Sequence, residues 1–369
     1  MMLESGRIVQ FKNERPRMIP GPFEGDFVIE IEAIGHGSTT AGAVTATAAE
    51  TILGYALGAV ATPTGADGTT ISGTASTAVS LNVAAASGLL AGQIIRLGAK
   101  NDGRGDGQPA VVSSHGTSVI ALKTAAPAAM NVAADVVYTS IMVHTVESTC
   151  AVQPLRFFFK TADTNWCAHG SFIKAYQFTG GAPGQIAKHV FTIGVSWMEP
   201  ITTTFPDTTT TAAWTTNAVP TAAGSVFMNA YGTTTRATLT ARAITIGITL
   251  GIQPIMGYNG INSAQMIVGA SRIPDDIKVS LTVDAEGDSA TPTWWSAWAA
   301  NLRRHLLIAW SVGNGSTLSC YFPNLAWTGK QPTQMDMEGL NRVGLEFVAG
   351  TDTTGATDLA RSAMRWGLA

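Results

Sequence analysis

The chain has 369 residues, of which 46% are apolar, and this composition excludes a wholly disordered protein. Only 13% of the residues are charged, against about 25% in an ordinary soluble domain, so much of the surface is uncharged and suited to contact with other copies of the chain. The formal net charge of −3 argues against a protein that grips nucleic-acid backbones, and three cysteines are too few for a disulfide framework.

Residues 1–64 are predicted to supply an N-terminal arm, the first strand and a short helix of the main domain. Residues 1–26 mix charges with prolines, which indicates an extended arm. In Phe27–Ile34 apolar residues alternate with glutamates, a pattern typical of a half-buried strand. Apolar residues at helical spacing then predict a short helix within residues 46–59.

Residues 65–146 differ from the sequence on either side. Short β-prone runs recur there at close spacing, separated by turns that contain Gly, Asn, Asp or Pro, which is the pattern of a small barrel or sandwich. The runs are Val79–Val83, Ile94–Leu97, Ala110–Val112, Val119–Leu122 and Val136–Val143. We therefore predict a small all-β module inserted into the main domain.

Longer β-prone runs follow in residues 147–369, which are predicted to form the main β domain and a C-terminal arm. One helix is predicted over residues 293–304, directly after a proline. Trp294, Trp298 and Leu302 lie at i, i+4 and i+8 of this helix, so they form an apolar stripe that is expected to pack on a sheet.

The segment between Glu199 and Gly224 is rich in Thr, Pro and Ala and is too long for a tight turn. Its hydroxyl and backbone groups offer hydrogen bonds without charge, which suits an extended segment that lies along a neighbouring copy. The residues predicted to make this inter-subunit contact are Thr203, Thr208, Thr209, Thr210, Thr211 and Trp214.

Asp284, Glu286 and Asp288 occupy alternate positions after a predicted strand. A calcium loop of the EF-hand type requires Gly and Glu where this sequence has Ser289 and Trp295, so a metal site is not predicted. Alternate residues of an extended chain share one face, and we expect an acidic strip there.

No motif in the sequence indicates an enzyme. The G-x-S-x-G elbow, the H-E-x-x-H motif and the phosphate-binding P-loop do not occur. Cys167 and His169 are close in sequence, but no nearby residue completes a catalytic or metal-binding set. We expect no catalytic, cofactor-binding or metal-binding residues, no signal peptide and no membrane insertion.

The order of strands, turns and helix after residue 150 is distinctive. The Trp-rich helix leads into the strand His305–Trp310, and the run Leu318–Trp327 leads into Gly339–Ala349. Two earlier strands, Phe172–Phe178 and His189–Met198, are joined by a Gly-rich turn. In these features the sequence resembles the tail tube proteins of long-tailed bacteriophages, and the inserted module resembles small β modules of some larger members.

The resemblance implies a β-sandwich or barrel with one flanking helix that assembles into hexameric rings. In that family, inner strands of the subunits join into a β-lined tube, rings stack through loops and terminal arms, and the genome passes through the lumen during infection. The expected partners are further copies of the chain and the tape measure, terminator and distal tail proteins, while DNA passes without specific binding.

The resemblance also implies a location. The chain is expected in the virion tail, assembled in the host cytoplasm, and its size favours a non-contractile tail with the inserted module outside the tube. If Asp284, Glu286 and Asp288 face the lumen, they repel DNA phosphates. On an outer surface the same residues add only to solubility.

Two other functions remain open on the sequence. The first is another ring-forming tail component of the same fold, such as a tail terminator or distal tail protein, which forms a single ring. The second is a surface adhesin built on the inserted module, with Arg104, Gly105 and Asp106 at an exposed turn.

Overall fold

The structure of the chain is a computed structural model. It describes residues 2–3, 19–20, 25–33, 48–64, 68–72, 76–86, 88–99, 108–126, 135–146, 155–160, 164–180, 185–195, 197–201, 224–256, 267–273, 277–284, 294–311, 317–337 and 340–368. Strands account for 65% of the structure and helices for 7%, which confirms the mainly-β fold class predicted from the sequence.

The strands follow one another closely along the chain. In chain order they are β1 (Met2–Leu3), β2 (Ile19–Pro20), β3 (Gly25–Glu32), β4 (Gly58–Ala61), β5 (Thr69–Thr70), β6 (Ser80–Asn82), β7 (Ile94–Ala99), β8 (Gln108–His115), β9 (Val119–Leu122), β10 (Asp135–Tyr138), β11 (Ile141–Thr145), β12 (Leu155–Lys160), β13 (Asn165–Gly180), β14 (Lys188–Val195), β15 (Trp197–Ile201), β16 (Gly224–Ala230), β17 (Thr238–Leu239), β18 (Ala241–Thr249), β19 (Gly251–Met256), β20 (Ile267–Ile273), β21 (Ile277–Asp284), β22 (Arg304–Ser311), β23 (Thr317–Trp327), β24 (Thr333–Met337), β25 (Leu340–Gly350) and β26 (Arg365–Leu368). The helices are α1 (Ala48–Leu57), α2 (Trp294–Ala299) and α3 (Asp358–Arg361).

One group of antiparallel strands has a solvated face, and we call it sheet I. Its strand order is β24, β25, β21, β18, β13, β14 and β3. Buried and exposed residues alternate along these strands, as in β3, where Ile29 packs on the core and Val28 and Glu30 are exposed. This alternation is expected of a sheet that is covered on one side only.

A second group, sheet II, has the order β17, β16, β22, β23, β26, β11 and β4. Its central strands are buried at nearly every position, on both faces. β23 also pairs with β25, so sheets I and II are one continuous sheet that folds over at this strand.

The two sheets enclose a single hydrophobic core. The ring of Phe178 in sheet I packs on the rings of Trp310 and Trp366 in sheet II, with centroids 5.0 and 4.8 Å apart. Helix α1 contributes Leu53 and Leu57 to the same core. The main domain is therefore a β-sandwich with α1 packed against it.

A separate barrel forms between β4 and β11. Its strands follow the order β5, β10, β7, β8, β9 and β6, and a bridge between Ile71 and Val83 joins the first strand to the last. Hydrogen bonds of 2.7 Å from Ser72 N to Asn82 O and 3.0 Å from Ala84 N to Thr70 O accompany this closure. The barrel has an interior core of its own, built from small and branched apolar side chains.

The barrel differs from the predicted module at its last strand. The apolar run at residues 136–143 suggests one strand, but Thr139 and Ser140 separate β10, which is in the barrel, from β11, which pairs with β4 and β26 in sheet II. The C-terminal segment differs too. It was expected to be an arm, yet β26 lies fully buried between β11 and β23.

The barrel packs on the outer face of sheet II, and we call this contact the junction. Its apolar part consists of Ile94 and Val111 from the barrel against Met142, Leu307 and Tyr321 from sheet II. Because the barrel covers this face, the central strands of sheet II carry apolar residues on both sides.

Polar contacts also cross the junction. Arg96 Nη2 of the barrel donates to the carbonyl oxygens of Trp310 and Leu318, at 3.2 and 3.3 Å. Near the barrel's Gly92 the backbones approach closely, since a Cβ added there would lie 2.8 Å from Ala360 Cα. Gly92 also has a φ of 89°, so glycine is required at this position.

One buried carboxylate links the barrel to the sandwich. Asp352 contacts Lys123 Nζ of the barrel and lies 3.6 Å from Arg365 Nη2 of β26. Burial alone would raise the pKa of Asp352, but hydrogen bonds from Lys123 and Thr354 outweigh burial and hold the pKa below its usual value. The carboxylate is therefore ionised and balances charge at the junction.

Helix α2 is shorter than the predicted helix over residues 293–304, because it ends at Ala299. The chain turns at Asn301, whose φ is 48°, and Arg304 already begins β22. An asparagine tolerates this left-handed conformation better than most residues do. The turn therefore redirects the chain before the third member of the predicted stripe.

The predicted stripe is only partly buried as a result. Trp294 is 4% exposed and belongs to the core, and Trp298 is half-buried against the core. Leu302, however, is 50% exposed. The expectation that Leu302 packs with the two tryptophans therefore differs from the structure, because it required the helix to continue for one more turn.

We expect Trp294→Ala to lower the free energy of unfolding by roughly 3–5 kcal/mol, the usual cost of removing a buried indole. Trp298→Ala should cost less because part of its ring is already solvated, and Leu302→Ala should cost under about 0.5 kcal/mol. Urea unfolding of the three variants measures this order. Equal losses for all three would contradict the burial found for this helix.

We expect Asp352→Asn to lower the free energy of unfolding by roughly 3 kcal/mol, because it leaves Lys123 and Arg365 at the junction without their carboxylate. Glu346→Gln is the matched control. It breaks a pair between Glu346 and Lys330 that is exposed to solvent, and such pairs contribute about 0–1 kcal/mol. Similar losses for the two variants, in urea unfolding, would show that Asp352 does not hold the junction.

Candidate assembly surface

The outer side of sheet I, which we call the sheet I face, carries Thr, Ser, Gln and Gly together with the valines Val28, Val190 and Val348. Its polar and glycine positions are Gln177, Thr179, Thr192, Thr245, Gly247, Ser280, Thr282 and Gly344. They form rows across the strands, since Thr245 lies opposite both Thr179 and Ser280. A Cβ added at Gly247 would meet nothing within 4 Å, so the face is open there.

Six charged side chains on this face form three ion pairs between neighbouring elements, and Glu32 and Lys278 lie on the same face. The pairs are Lys174 Nζ with Asp26 Oδ1 at 2.6 Å, Lys188 Nζ with Glu30 Oε2 at 3.0 Å, and Lys330 Nζ with Glu346 Oε2 at 2.8 Å. Because each pair joins one cation to one anion, the pairs add no net charge to the face.

The pair between Lys174 and Asp26 crosses a whole strand, because β14 lies between β13 and β3. Gly194 of β14 is the Cα partner of Asp26, and a Cβ added to it would lie 2.7 Å from Lys174 Cε. The ammonium also lies 5.9 Å from the centroid of the Phe172 ring. The lysine side chain therefore runs directly over Gly194, and a larger residue there would make the lysine or the Phe172 ring shift.

The two edge strands of sheet I are β3 and β24. Among the described strands, β3 pairs only with β14 and β24 pairs only with β25. Val28, near the middle of β3, is 58% exposed. An edge strand presents backbone N–H and C=O groups that can pair with another chain, so both edges are candidate contacts between copies.

No protein-family model matches the chain, and no curated protein matches it in sequence. Any function proposed for the chain therefore depends on its own residues and their arrangement.

Most residues of the predicted acidic strip and inter-subunit segment lie outside the described residues. Asp284 is the last residue of β21, and its Cα partner is Arg342 on β25. The predicted residues that lie outside the described ranges are Glu286, Asp288, Thr203, Thr208, Thr209, Thr210, Thr211 and Trp214, together with the Arg104–Asp106 turn. Their roles stay predictions.

Cys167 and His169 do not form a nucleophile–base pair. His169 Nε2 lies 3.0 Å from Glu199 Oε1 on the neighbouring strand β15. Burial raises the pKa of the Cys167 thiol, which keeps it protonated near neutral pH. Within the part of the chain that the structure describes, no three His, Cys, Asp or Glu side chains come together to hold a metal ion.

None of the helices in the described ranges is long and apolar enough to cross a membrane.

The sequence did not identify Lys174, Lys188 or Gly194 as surface residues of interest. One signal was present, because the acidic residues of β3 alternate with its apolar residues and so mark an exposed face. Their lysine partners are not local in sequence, since Lys174 is separated from Asp26 by 148 positions. Only the pairing of β13, β14 and β3 brings them together.

Beneath the sheet I face, β14 places His189 in the core. The Tyr176 hydroxyl lies 2.8 Å from Nδ1 of His189, and the imidazole packs against Phe178 and Trp366. Burial lowers the pKa of His189 to about 3. The ring is therefore neutral near pH 7 and shares a hydrogen bond with the Tyr176 hydroxyl.

We expect the stability of the fold to decrease as the pH falls from about 6.5 toward 3. In this range His189 gains a proton in the unfolded chain but not in the folded one, so it contributes a loss of roughly 1.4 kcal/mol per pH unit. Above pH 6.5 both states are neutral and its contribution is constant. Urea unfolding at several pH values measures the slope for the wild type.

His189→Gln should make that slope shallower by the same amount, because glutamine does not titrate. His305 is a second buried histidine with which His189 can be compared. Burial, followed by the charge of Lys123, lowers the pKa of His305 to about 4. An unchanged slope in His189→Gln would mean that His189 is protonated in the folded chain.

Proposed function

We propose that the chain is a structural subunit that assembles with its own copies into a bacteriophage tail tube, with the sheet I face directed toward the channel. The observation that carries the proposal is the chemistry of this face. Across the central strands of this face, Thr, Ser, Gln and Gly outnumber the partly exposed Val190 and Val348, so a passing molecule meets little apolar surface to bury. Its ion pairs leave little net field to attract or hold a polyanion.

The order of the layers supports this orientation. Sheet I, sheet II and the barrel follow one another, since the barrel residues of the described part of the chain pack on the side of sheet II that is turned away from sheet I. With sheet I toward the channel, the barrel lies on the outside of the tube. In that position it does not obstruct the lumen.

The edges of sheet I provide the means of assembly. A sheet can continue from one copy to the next when the edge strand β3 of one subunit meets an edge strand of its neighbour. The segment from residue 202 to residue 223 and the other tail proteins remain the proposed contacts between rings and at the tube ends. The proposed role requires no catalytic residue.

Electron microscopy of the negatively stained, purified chain tests the proposal. We expect open tubes made of stacked rings with a continuous lumen. Single rings that do not stack would favour the alternative role of a tail terminator or distal tail protein. Monomers that bind to cells would favour an adhesin and contradict the tube.

A pair of variants sharpens this test. Val28→Lys places a flexible charge on the exposed edge strand, a feature that natural sheets use to prevent strand addition, so it should reduce the yield of tubes. Val119→Lys, on the barrel strand β9 at a position that is 38% exposed, should leave assembly intact. Equal tube yields for the two variants would exclude the β3 edge as an assembly contact.

A further inference from the structure

We propose that the carboxylates of β3 mask a latent binding strip for nucleic-acid phosphates, formed by Lys174 and Lys188 on the sheet I face. The biological meaning of the masking rests on the proposed function, because a channel wall for DNA must not retain DNA. The binding property itself belongs to the folded chain, whether or not the chain forms tubes.

Both lysines are accessible to a ligand. Their side chains are 41% and 48% exposed, and they lie on the adjacent strands β13 and β14. Their partners Asp26 and Glu30 are four positions apart on β3 and so about 13 Å apart along the strand. A DNA strand places one phosphate about every 3.4 Å along its axis, so one duplex can contact both lysines at once.

At Lys174 the glycine of the intervening strand makes room for the pair. The side chain passes over Gly194, close to where a Cβ would lie, and lies near the Phe172 ring before it meets Asp26. The ammonium therefore faces the carboxylate, while part of the side chain stays open to solvent.

At Lys188 two carboxylates share the masking. Glu30 makes the ion pair at 3.0 Å, and Glu32 is the Cα partner of Lys188 directly across the strand pair. Cross-strand partners of this kind lie close enough for their side chains to interact. Two acidic residues of β3 therefore lie next to Lys188, one of them in an ion pair with it.

Exposed pairs such as these contribute little to stability, so their main effect is on the field above the sheet. A carboxylate within about 3 Å of an ammonium cancels most of its attraction for a phosphate that approaches to within the Debye length of roughly 10 Å, where salt screens the field only in part. Removing the carboxylates while keeping the lysines should therefore reveal the binding strip.

The test uses the purified full chain and a fluorescein-labelled DNA duplex of about 30 base pairs, measured by anisotropy at about 50 mM salt, where screening is weak. The triple variant Asp26→Asn, Glu30→Gln and Glu32→Gln should bind at least about tenfold more tightly than the wild type. The logarithm of its binding constant should fall with the logarithm of salt concentration with a slope of about −2, as expected for two lysine–phosphate contacts.

The matched control adds Lys174→Gln and Lys188→Gln to the triple variant and should return binding to the wild-type level. Circular dichroism and urea unfolding establish that both variants are folded. A folded triple variant without tighter binding would overturn the proposal, as would a control that keeps the gain, because other cations would then be responsible. The triple variant could gain DNA binding while the wild type forms no tubes. That result would refute the proposed tube function and would still support the masking of the lysines by the β3 carboxylates.

Discussion

Both faces of sheet II are covered by protein, and much of the structure follows from this constraint. One face closes the core with sheet I, while the other packs under the barrel through Leu307, Tyr321 and Met142. Without the barrel these apolar side chains would meet water, at a cost of about 25 cal/mol for each Å² exposed. The barrel is therefore part of the folded unit, although its strands have a separate interior core.

The polar contacts of the junction give it one orientation. Apolar surfaces attract without direction, whereas Arg96 must point its guanidinium at two particular carbonyl oxygens. Burial, followed by the nearby charge of Arg236, lowers the pKa of Arg96 to about 9, so the group stays charged at neutral pH. Together with Asp352 it holds the barrel at a fixed place behind sheet II.

Covering sheet II leaves sheet I with a single solvated face, and the chemistry of that face differs from the junction. Its ion pairs lie in water, contribute little to folding and leave the face without a strong field. Buried charge at the junction orients two units of one chain, while exposed charge on sheet I balances itself pair by pair. This division suits a subunit that contacts its own copies at its edges and lets other molecules pass along its face.

The sequence by itself determined the features that depend on local periodicity. Alternating residues identified β3, helical spacing identified α1 within residues 46–59, and recurring short runs identified most strands of the barrel. These patterns are readable because a strand or helix repeats its environment every few residues. The mainly-β class follows from them.

The tertiary structure alone decided which strands pair and which charges meet. An apolar run cannot reveal its sheet, so β11 was grouped with the barrel and β26 was expected to be an arm, although both are interior strands of sheet II. The exposure of Leu302 depends on a single turn at Asn301. The pair of Lys174 with Asp26 exists only because three strands from distant parts of the chain lie side by side with a glycine between the two side chains, and no local pattern carries that information.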